Sequence, residues 1–515
     1  MGIDYLVIGS GLSALTFAAL AANQGRSVVV VEAHGKAGGF AHTFSYGKAP
    51  KQYHFNAQLH YVWNCGEGRT VNKVLKRLGL DESVTFQSYD PMGYDRMRIP
   101  GFALDIPYDL DLLGDRLAVL FPAKADECRA FLSTVRAVDD AVEHLPNHPT
   151  PEMMLHPVRL ATLLKWKKAT LGDVFAHHGV PLEAAALLAL QWPDFMLPPG
   201  RLSFLAWVML FCGYSRGAYY PTNHFEHVVD SLVGKVREGG GEVRLMHRAR
   251  AFILEGDAVV GAEIEEVDFD GRATGPSYEL RAKHVVSNLD PRRTVEMVGP
   301  ERFPTSVTHK LAYPRSTSNI MVYCAVEGLD LRALGFGKSN LFHAEHPDLD
   351  RAFDDMVVRG DYSKPSFAVT VPTLLSPVRT DCPEGTTIVE ILTAADWGRW
   401  AALKHASARA YADSKKQVYE QLCDVIERDY IPGFREHVVF KLIGTPTTNH
   451  RYVSAPRGGS YGADMTPGQI VDRIGTHTGV KGLTMCNATT GYAGFAGTFW
   501  TGASTFEALE GVKVL

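Results

Sequence analysis

The chain opens with a compact apolar run, Tyr5-Leu6-Val7-Ile8, closed by the turn Gly9-Ser10-Gly11. An apolar helical pattern follows from Leu12, and Val28–Val31 then runs into Glu32. Short, fully apolar runs bounded by glycine read as buried parallel strands, so the opening predicts a βαβ unit. Further on, Val228, Val229, Leu232 and Val236 mark a helix before Gly239-Gly240-Gly241. Strands are predicted at Val243–Met246, Phe252–Leu254 and Val259–Ile264, with another in the segment Lys283–Asp290. Residues 76–214 are mostly helical in pattern, as an inserted cap would be. Residues 300–455 alternate strand-like runs (Ile320–Ala325, Phe367–Val371, Thr387–Leu392) with a long helix at about 403–428. The division expected is 1–75, 215–299 and 456–515 for a discontinuous nucleotide domain, 76–214 for the cap and 300–455 for a mixed-sheet substrate domain.

Composition narrows the class only slightly. A chain of 515 residues with 46% hydrophobic content has ample material for several cores, and a net charge of −5 makes no case for nucleic acid. Seven scattered cysteines without C-x-x-C spacing argue for reduced thiols in a cytoplasmic setting, and no metal-ligand spacing stands out. The chain enters an apolar strand within four residues, and no apolar run approaches the ~20 residues of a membrane span. A soluble or peripheral protein is expected.

The chemistry concentrates in glycine-rich turns. In Gly9-x-Gly11-x-x-Ala14, Gly9 permits the turn, Gly11 lets a pyrophosphate approach the backbone, and Ala14 allows close packing of helix on strand. Glu32 is placed to bond a ribose hydroxyl. Gly38-Gly39 then suits a loop following a long, flat cofactor, which favours FAD over NAD, although a surface turn would look the same. Near the C-terminus, Gly482–Asn487 leads through Gly491, Gly494 and Gly497 into a closing helix, whose N-terminus can stabilise the anionic edge of a reduced flavin. The fold class expected is therefore α/β, with a Rossmann-type FAD-binding domain, a mixed-sheet substrate domain and a helical cap.

Several longer motifs are more specific. Val285-Val286-Ser287-Asn288-x-Asp290-Pro291, Gly444-Thr445-Pro446 followed by Arg451-Tyr452 and Gly458-x-x-Tyr461-Gly462, Phe55–Tyr61, and Tyr219-Tyr220-Pro221 resemble stretches of the phytoene desaturase, carotenoid isomerase and retinol saturase flavoproteins. The resemblance runs from end to end. It implies that Gly9, Gly11 and Ala14 meet the pyrophosphate, with Leu12 and Ser13 alongside, and that Glu32 meets the ribose. It places Gly38, Gly39 and Phe40 along the cofactor, the Ala249 backbone at the adenine, and Asn288 and Asn487 near the ribityl–phosphate region. Gly494, Phe495 and Gly497 fall at the isoalloxazine. Asn56, Gln58 and Thr222-Asn223-His224 depart from the pattern, as does the loop after Asn487, one residue short.

The function expected is FAD-dependent oxidation or reduction of carbon–carbon bonds in a long-chain lipid. The departures at 56–58 and 222–224 favour a desaturase of methyl-branched acyl chains over a carotenoid or retinoid desaturase, isomerase or saturase. A flavin amine oxidase and a non-enzymatic lipid carrier are the remaining readings. No second nicotinamide-binding unit is visible, so oxygen, a quinone or a redox protein is the expected electron acceptor. Polar candidates for catalysis are His60, Tyr61, Asn223, His224 and Tyr492. The segment 159–168 carries four cations and Trp166 among apolar residues. It reads either as a helix lying on the inner, anionic face of a membrane with its ring among the headgroups, or as a solvated basic face. Leu202–Tyr214 either walls an apolar tunnel or is a buried helix. A homodimer would present two basic faces to one membrane.

Overall fold

The computed structural model describes residues 2–144 and 151–515. Its first sheet is the nucleotide-binding one. Strands Glu242–Leu245, Val28–Glu32, Ile3–Ile8 and Tyr278–Ser287 lie side by side, with Leu483–Met485 beyond. These five pair in parallel, and Ala258–Glu266 and His247–Glu255 extend the sheet as an antiparallel meander. Val28–Val31 are all buried because helices cover both faces, as parallel sheets require. Helix Leu12–Asn23 sits between His224–Glu238 and the closing helix Gly494–Glu510, so the three distant segments of the domain share one core.

The second sheet also has seven strands, in the order Val438–Gly444, Ser318–Glu327, Thr386–Ala395, Ser366–Thr370, Asn340–Ala344, Asp95–Ile99 and Phe102–Ile106. It is antiparallel apart from the pairing of Asn340–Ala344 with Asp95–Ile99. That last hairpin is a strand pair inside 76–214, which is otherwise mostly helical. Met97 and Ile99 alternate with Arg96 and Arg98, and Leu104 and Ile106 answer them across the turn at Gly101. A period of two over so few residues is lost inside a long helical window. The single long helix expected at 403–428 is two, Trp397–Ala406 and Ala408–Asp429. Ser407 breaks it, its hydroxyl accepting from the Ala410 amide at 3.2 Å as an N-cap.

The opening turn and the second glycine loop pack backbone to backbone. The Gly38 amide donates to the Ser10 carbonyl at 2.9 Å, and Gly11 and Gly38 form an isolated bridge. A Cβ on Gly39, which sits at φ +56°, would stand 3.2 Å from the Gly11 Cα. The paired glycines are therefore first a packing device between loops. Gly39→Ala combines a left-handed backbone with that contact, and unfolding of the cofactor-free protein in urea is expected to show a loss of about 1–2 kcal/mol.

Candidate functional site

Two helix starts converge on one cavity. Helix Leu12–Asn23 begins at Gly11 and helix Gly494–Glu510 at Ala493; neither start carries a capping side chain or an acidic residue in its first turn. Both leave partial positive charge facing the same space, a cavity of about 1070 Å³. Glu32 closes the adenosine end. Its carboxylate accepts from the Ser10 amide and hydroxyl at 2.8 and 2.7 Å and from the His34 amide at 2.8 Å, which fixes it at the strand end. His247, Arg248 and Ala249 line the wall opposite.

Asn288 holds the middle. Its Oδ1 accepts from the Gly11 amide at 3.0 Å, while its Nδ2 donates to Ser13 Oγ at 3.0 Å and to the Cys486 carbonyl at 2.5 Å. Asn487 ties the next turn, accepting from the Thr489 and Thr490 amides and donating to the Leu289 carbonyl at 2.8 Å. Two arginines on the same wall, Arg315 and Arg473, have a buried Nε without a partner among the described residues. Buried guanidinium donors call for acceptors, and a diphosphate supplies them. Two uncapped helix starts, a ribose-side carboxylate and half-satisfied arginines fit a long dianionic dinucleotide such as FAD.

The cofactor residues expected from the sequence lie on this wall, with one correction. Ala14 is fully buried off the cavity, because the third motif position falls on the inner side of the helix's first turn. Its contribution is packing, not contact with a phosphate. Among the catalytic candidates, His60, Tyr61 and Tyr492 line the cavity, whereas Asn223 and His224 do not. His224 is buried at φ +61°, its ring between the Tyr220 hydroxyl at 3.0 Å and the Val378 carbonyl at 2.9 Å. It starts the helix that Asn223 precedes and ties it to the loop before strand Thr386–Ala395.

The cavity continues past the cradle into an apolar compartment. Helix Phe204–Ser215 serves both roles considered for it. Ala206, Met209, Leu210 and Tyr214 face the cavity, while Phe204, Trp207 and Phe211 pack behind it, Trp207 lying 5.8 Å from Phe131 and 4.4 Å from Phe211. Leu59, Trp63, Phe195 and Met465 complete much of the wall. His60 adds a polar group: its Nδ1 sits 3.1 Å from Glu390 Oε2, and its Nε2 is buried without a partner among the described residues. Glu390 also accepts from the Asn56 amide at 3.0 Å, and burial raises its pKa against the pull of His60. Sequence reasoning missed Glu390. The signal was an acid alone inside the apolar strand Thr386–Ala395, where a charge needs a partner.

The comparisons with known proteins agree with this layout. Residues 7–78 match the NAD(P)-binding Rossmann-like domain. An all-trans-retinol 13,14-reductase from Homo sapiens is 26% identical, over 91% of this chain and 78% of its own. Prolycopene isomerase 1 of an Oncidium hybrid cultivar is 21% identical, over 89% and 75%. Over about nine-tenths of its length the chain is therefore similar to retinol 13,14-reductases and prolycopene isomerases. A solved putrescine oxidase shares the fold with a TM-score of 0.64 at 14% identity, over 99% and 98% of the two chains. The Rossmann cradle is FAD-type, and the chain is an FAD-type oxidoreductase in fold and kinship.

The three bonds of Asn288 make it the residue whose loss should cost the cradle most. Asn288→Ala is expected to lower stability of the cofactor-free protein by about 2–3 kcal/mol, at ~1 kcal/mol per lost bond. Its flavin-to-protein ratio after gel filtration should fall below that of the parent protein.

Proposed function

We propose that this protein adds, removes or rearranges hydrogen at a carbon–carbon double bond of a long apolar polyene of the retinoid or carotenoid type. The observation that carries the reading is continuity: one cavity joins the dinucleotide cradle to a compartment walled by Leu59, Trp63, Phe195, Met209 and Leu210. FAD, when bound, supplies hydride exchange with a substrate carbon. The protein's own part is to align and dry the chain. Tyr61 and Tyr214 stack at 4.2 Å between centroids, 6° from parallel, and give a flat wall against which a conjugated segment packs. Orientation within about 3.5 Å of the reacting atom is the main requirement for an unactivated carbon. An acyl chain lacks the same support. Of the departures that favoured it, Gln58 lines the cavity but Asn56 and residues 222–224 stand off it, and the relatives spanning nine-tenths of the chain are named for retinol and prolycopene. Oxygen, a quinone or a redox protein completes the electron balance.

Access fits a membrane surface, with a change in which residues meet it. Trp166 is buried, 6.0 Å from Phe204 and 5.1 Å from His177, so its ring does not reach headgroups. Instead Met154, Leu155, Val158 and Leu164 are exposed, Leu155 at 75% and Val158 at 78%, beside Lys165 and Lys168. Exposed apolar side chains on and just before a short helix, with lysines at its end, complement an anionic bilayer. Arg159 anchors that helix to Asp140, two residues before the cavity-lining Val142. Among the described residues, no helix is long and apolar enough to cross a membrane.

Two measurements test these readings. The flavin-loaded protein, reduced anaerobically, is mixed with a retinoid, a cis-carotenoid or a phospholipid extract, and products are resolved by chromatography. New or isomerised polyene products are expected; changed acyl chains with untouched polyenes would overturn the substrate class. Flotation with vesicles is expected to recover the protein with phosphatidylglycerol and not with phosphatidylcholine. Val158→Asp should cut recovery about tenfold, the worth of one buried valine; equal recovery would remove the membrane surface.

A further inference from the structure

The apolar compartment contains a second polar feature besides His60. The Tyr61 hydroxyl lies 3.0 Å from Asp95 Oδ2 and 2.9 Å from Asp194 Oδ2. Gln191 Nε2 donates to the same Asp95 oxygen at 2.5 Å and to the Tyr61 oxygen at 3.2 Å, and Asn340 Nδ2 donates to Asp95 Oδ1 at 3.0 Å. Asp95 is sealed in the second sheet, whereas Asp194 is half-buried because it faces the cavity. A phenol has one proton and can donate to one carboxylate at a time. The second short contact therefore needs a proton on a carboxyl group. Asp95, Tyr61 and Asp194 form a chain that holds one proton more than two carboxylates would.

Nothing nearby offers another explanation for the pair. The ionisable groups packed around it are phenols: Tyr214 on Tyr61, Tyr461 beside Asp194, and Tyr89 and Tyr94 beside Asp95. Neither carboxylate has a Lys, Arg or His partner among the described residues. A structural acid would be paired; two unpaired acids sharing a proton at a cavity wall are an arrangement for proton transfer. The turn that presents Asp194 is also fixed from behind. Trp192 is fully buried with its Nε1 donating to Ser366 Oγ at 3.1 Å, and Met196, two residues on, is held at φ +55°. A bulky residue in the left-handed region is backbone strain stored next to the acid.

We propose that Asp194 is the group that exchanges a proton with the substrate, and that Asp95, linked to it through the Tyr61 hydroxyl, shares and holds that proton. This rests on the function proposed above. In the saturating direction the cofactor, when bound and reduced, would supply the hydride with its electron pair to one carbon of the double bond, and the Asp194 carboxyl gives its proton to the neighbouring carbon. The π bond is consumed, two C–H bonds form, and a quinol or reduced redox protein returns two electrons to the cofactor. The shared proton is then spent, and the Asp194 carboxylate, which faces the cavity, recovers one from the quinol or from water. In the desaturating direction each transfer reverses, with oxygen, a quinone or a redox protein as acceptor.

Burial pushes Asp95 up to about 7, and burial together with the Asp95 charge pushes Asp194 up to about 8. Both groups bind protons more tightly folded than unfolded, so the stability they contribute is present at low pH and is lost as pH rises through 7 and 8. Saturation needs the acid, and its rate should be flat below about pH 8 and fall above it. Desaturation needs the carboxylate and should rise through the same range. The pH profile thus also reports direction.

The test uses the flavin-loaded protein and Asp194→Asn, which mimics the protonated acid in size and hydrogen bonding. The variant should keep its flavin and the spectral change on substrate addition. Its turnover should fall at least about 100-fold, the ordinary worth of a general acid, and the limb near pH 8 should vanish. Infrared difference spectra between pH 6 and 9 should show a protonated-carboxyl band in the parent protein that the variant and Asp95→Asn each lose or shift. Tyr61→Phe should retain the band but uncouple the two acids and slow turnover. Turnover of Asp194→Asn within threefold of the parent would overturn the role of Asp194, and absence of the carboxyl band would overturn the shared proton. A parent protein that turns over no polyene or lipid would overturn the functional reading, and this role with it.

Discussion

The site depends on a single amide side chain. Asn288 stands at the end of the central strand Tyr278–Ser287 and bonds at once to the first glycine turn through Gly11, to the first helix through Ser13, and to the last strand through Cys486. Those three segments come from distant parts of the chain; Ser13 Oγ also donates to the Cys486 carbonyl at 3.0 Å, whereas the Gly11 amide relies on Asn288. The contact is also sterically closed: a Cβ on Gly11 would fall 2.5 Å from the Asn288 oxygen. Glycine at 11 and asparagine at 288 are one requirement seen from two sides. Their junction sets the spacing between the two helix starts, and that spacing determines what length of anion the cavity can receive.

From this junction outward the polar character of the cavity falls in a definite order. The adenosine end is built from backbone amides and a carboxylate that is tied down by Ser10 and His34. The middle offers guanidinium groups with donors to spare at Arg315 and Arg473. Beyond Tyr492 the wall is largely aromatic and aliphatic; Asp194 lines it, and Glu390 and Asp95 are buried off the cavity, bonded to the cavity-lining His60 and Tyr61. Carboxylates are costly in such surroundings unless bonded or protonated. Glu390 resolves this by pairing with His60, the two aspartates by sharing a proton through Tyr61.

The sequence made the nucleotide domain legible because its rules are local. Gly9, Gly11, Glu32 and the strands around them obey steric and phosphate-binding constraints within some thirty residues, and Asn288 and Asn487 were reachable through longer motifs. The reading failed where function depends on tertiary placement. Ala14 shares a motif with Gly11 but turns its side chain toward the sheet, and His224 stood out by being unusual when its role is to bridge Tyr220 and Val378. The hairpin Asp95–Phe102 escaped because its alternation covers only a few residues, and with it Asp95 was lost from view. Asp194 lies in a short turn with no periodicity at all. Acids in apolar surroundings were the unread signal.

Helix Phe204–Ser215 shows how one element reconciles the two halves of the molecule. Almost uniformly apolar, it has no polar side to assign, so sequence alone left wall and core as equal readings. The structure divides it by angle: Met209, Leu210 and Tyr214 line the cavity, and Trp207 and Phe211 anchor it to Phe131 behind. Tyr214 then stacks on Tyr61, whose hydroxyl joins the two aspartates. The helix thereby fixes the ring that carries the proton chain while its neighbouring residues touch the substrate space. A shift of this helix would alter substrate packing and the Asp194–Tyr61 contact together, so chain recognition and proton delivery are mechanically one property of the fold.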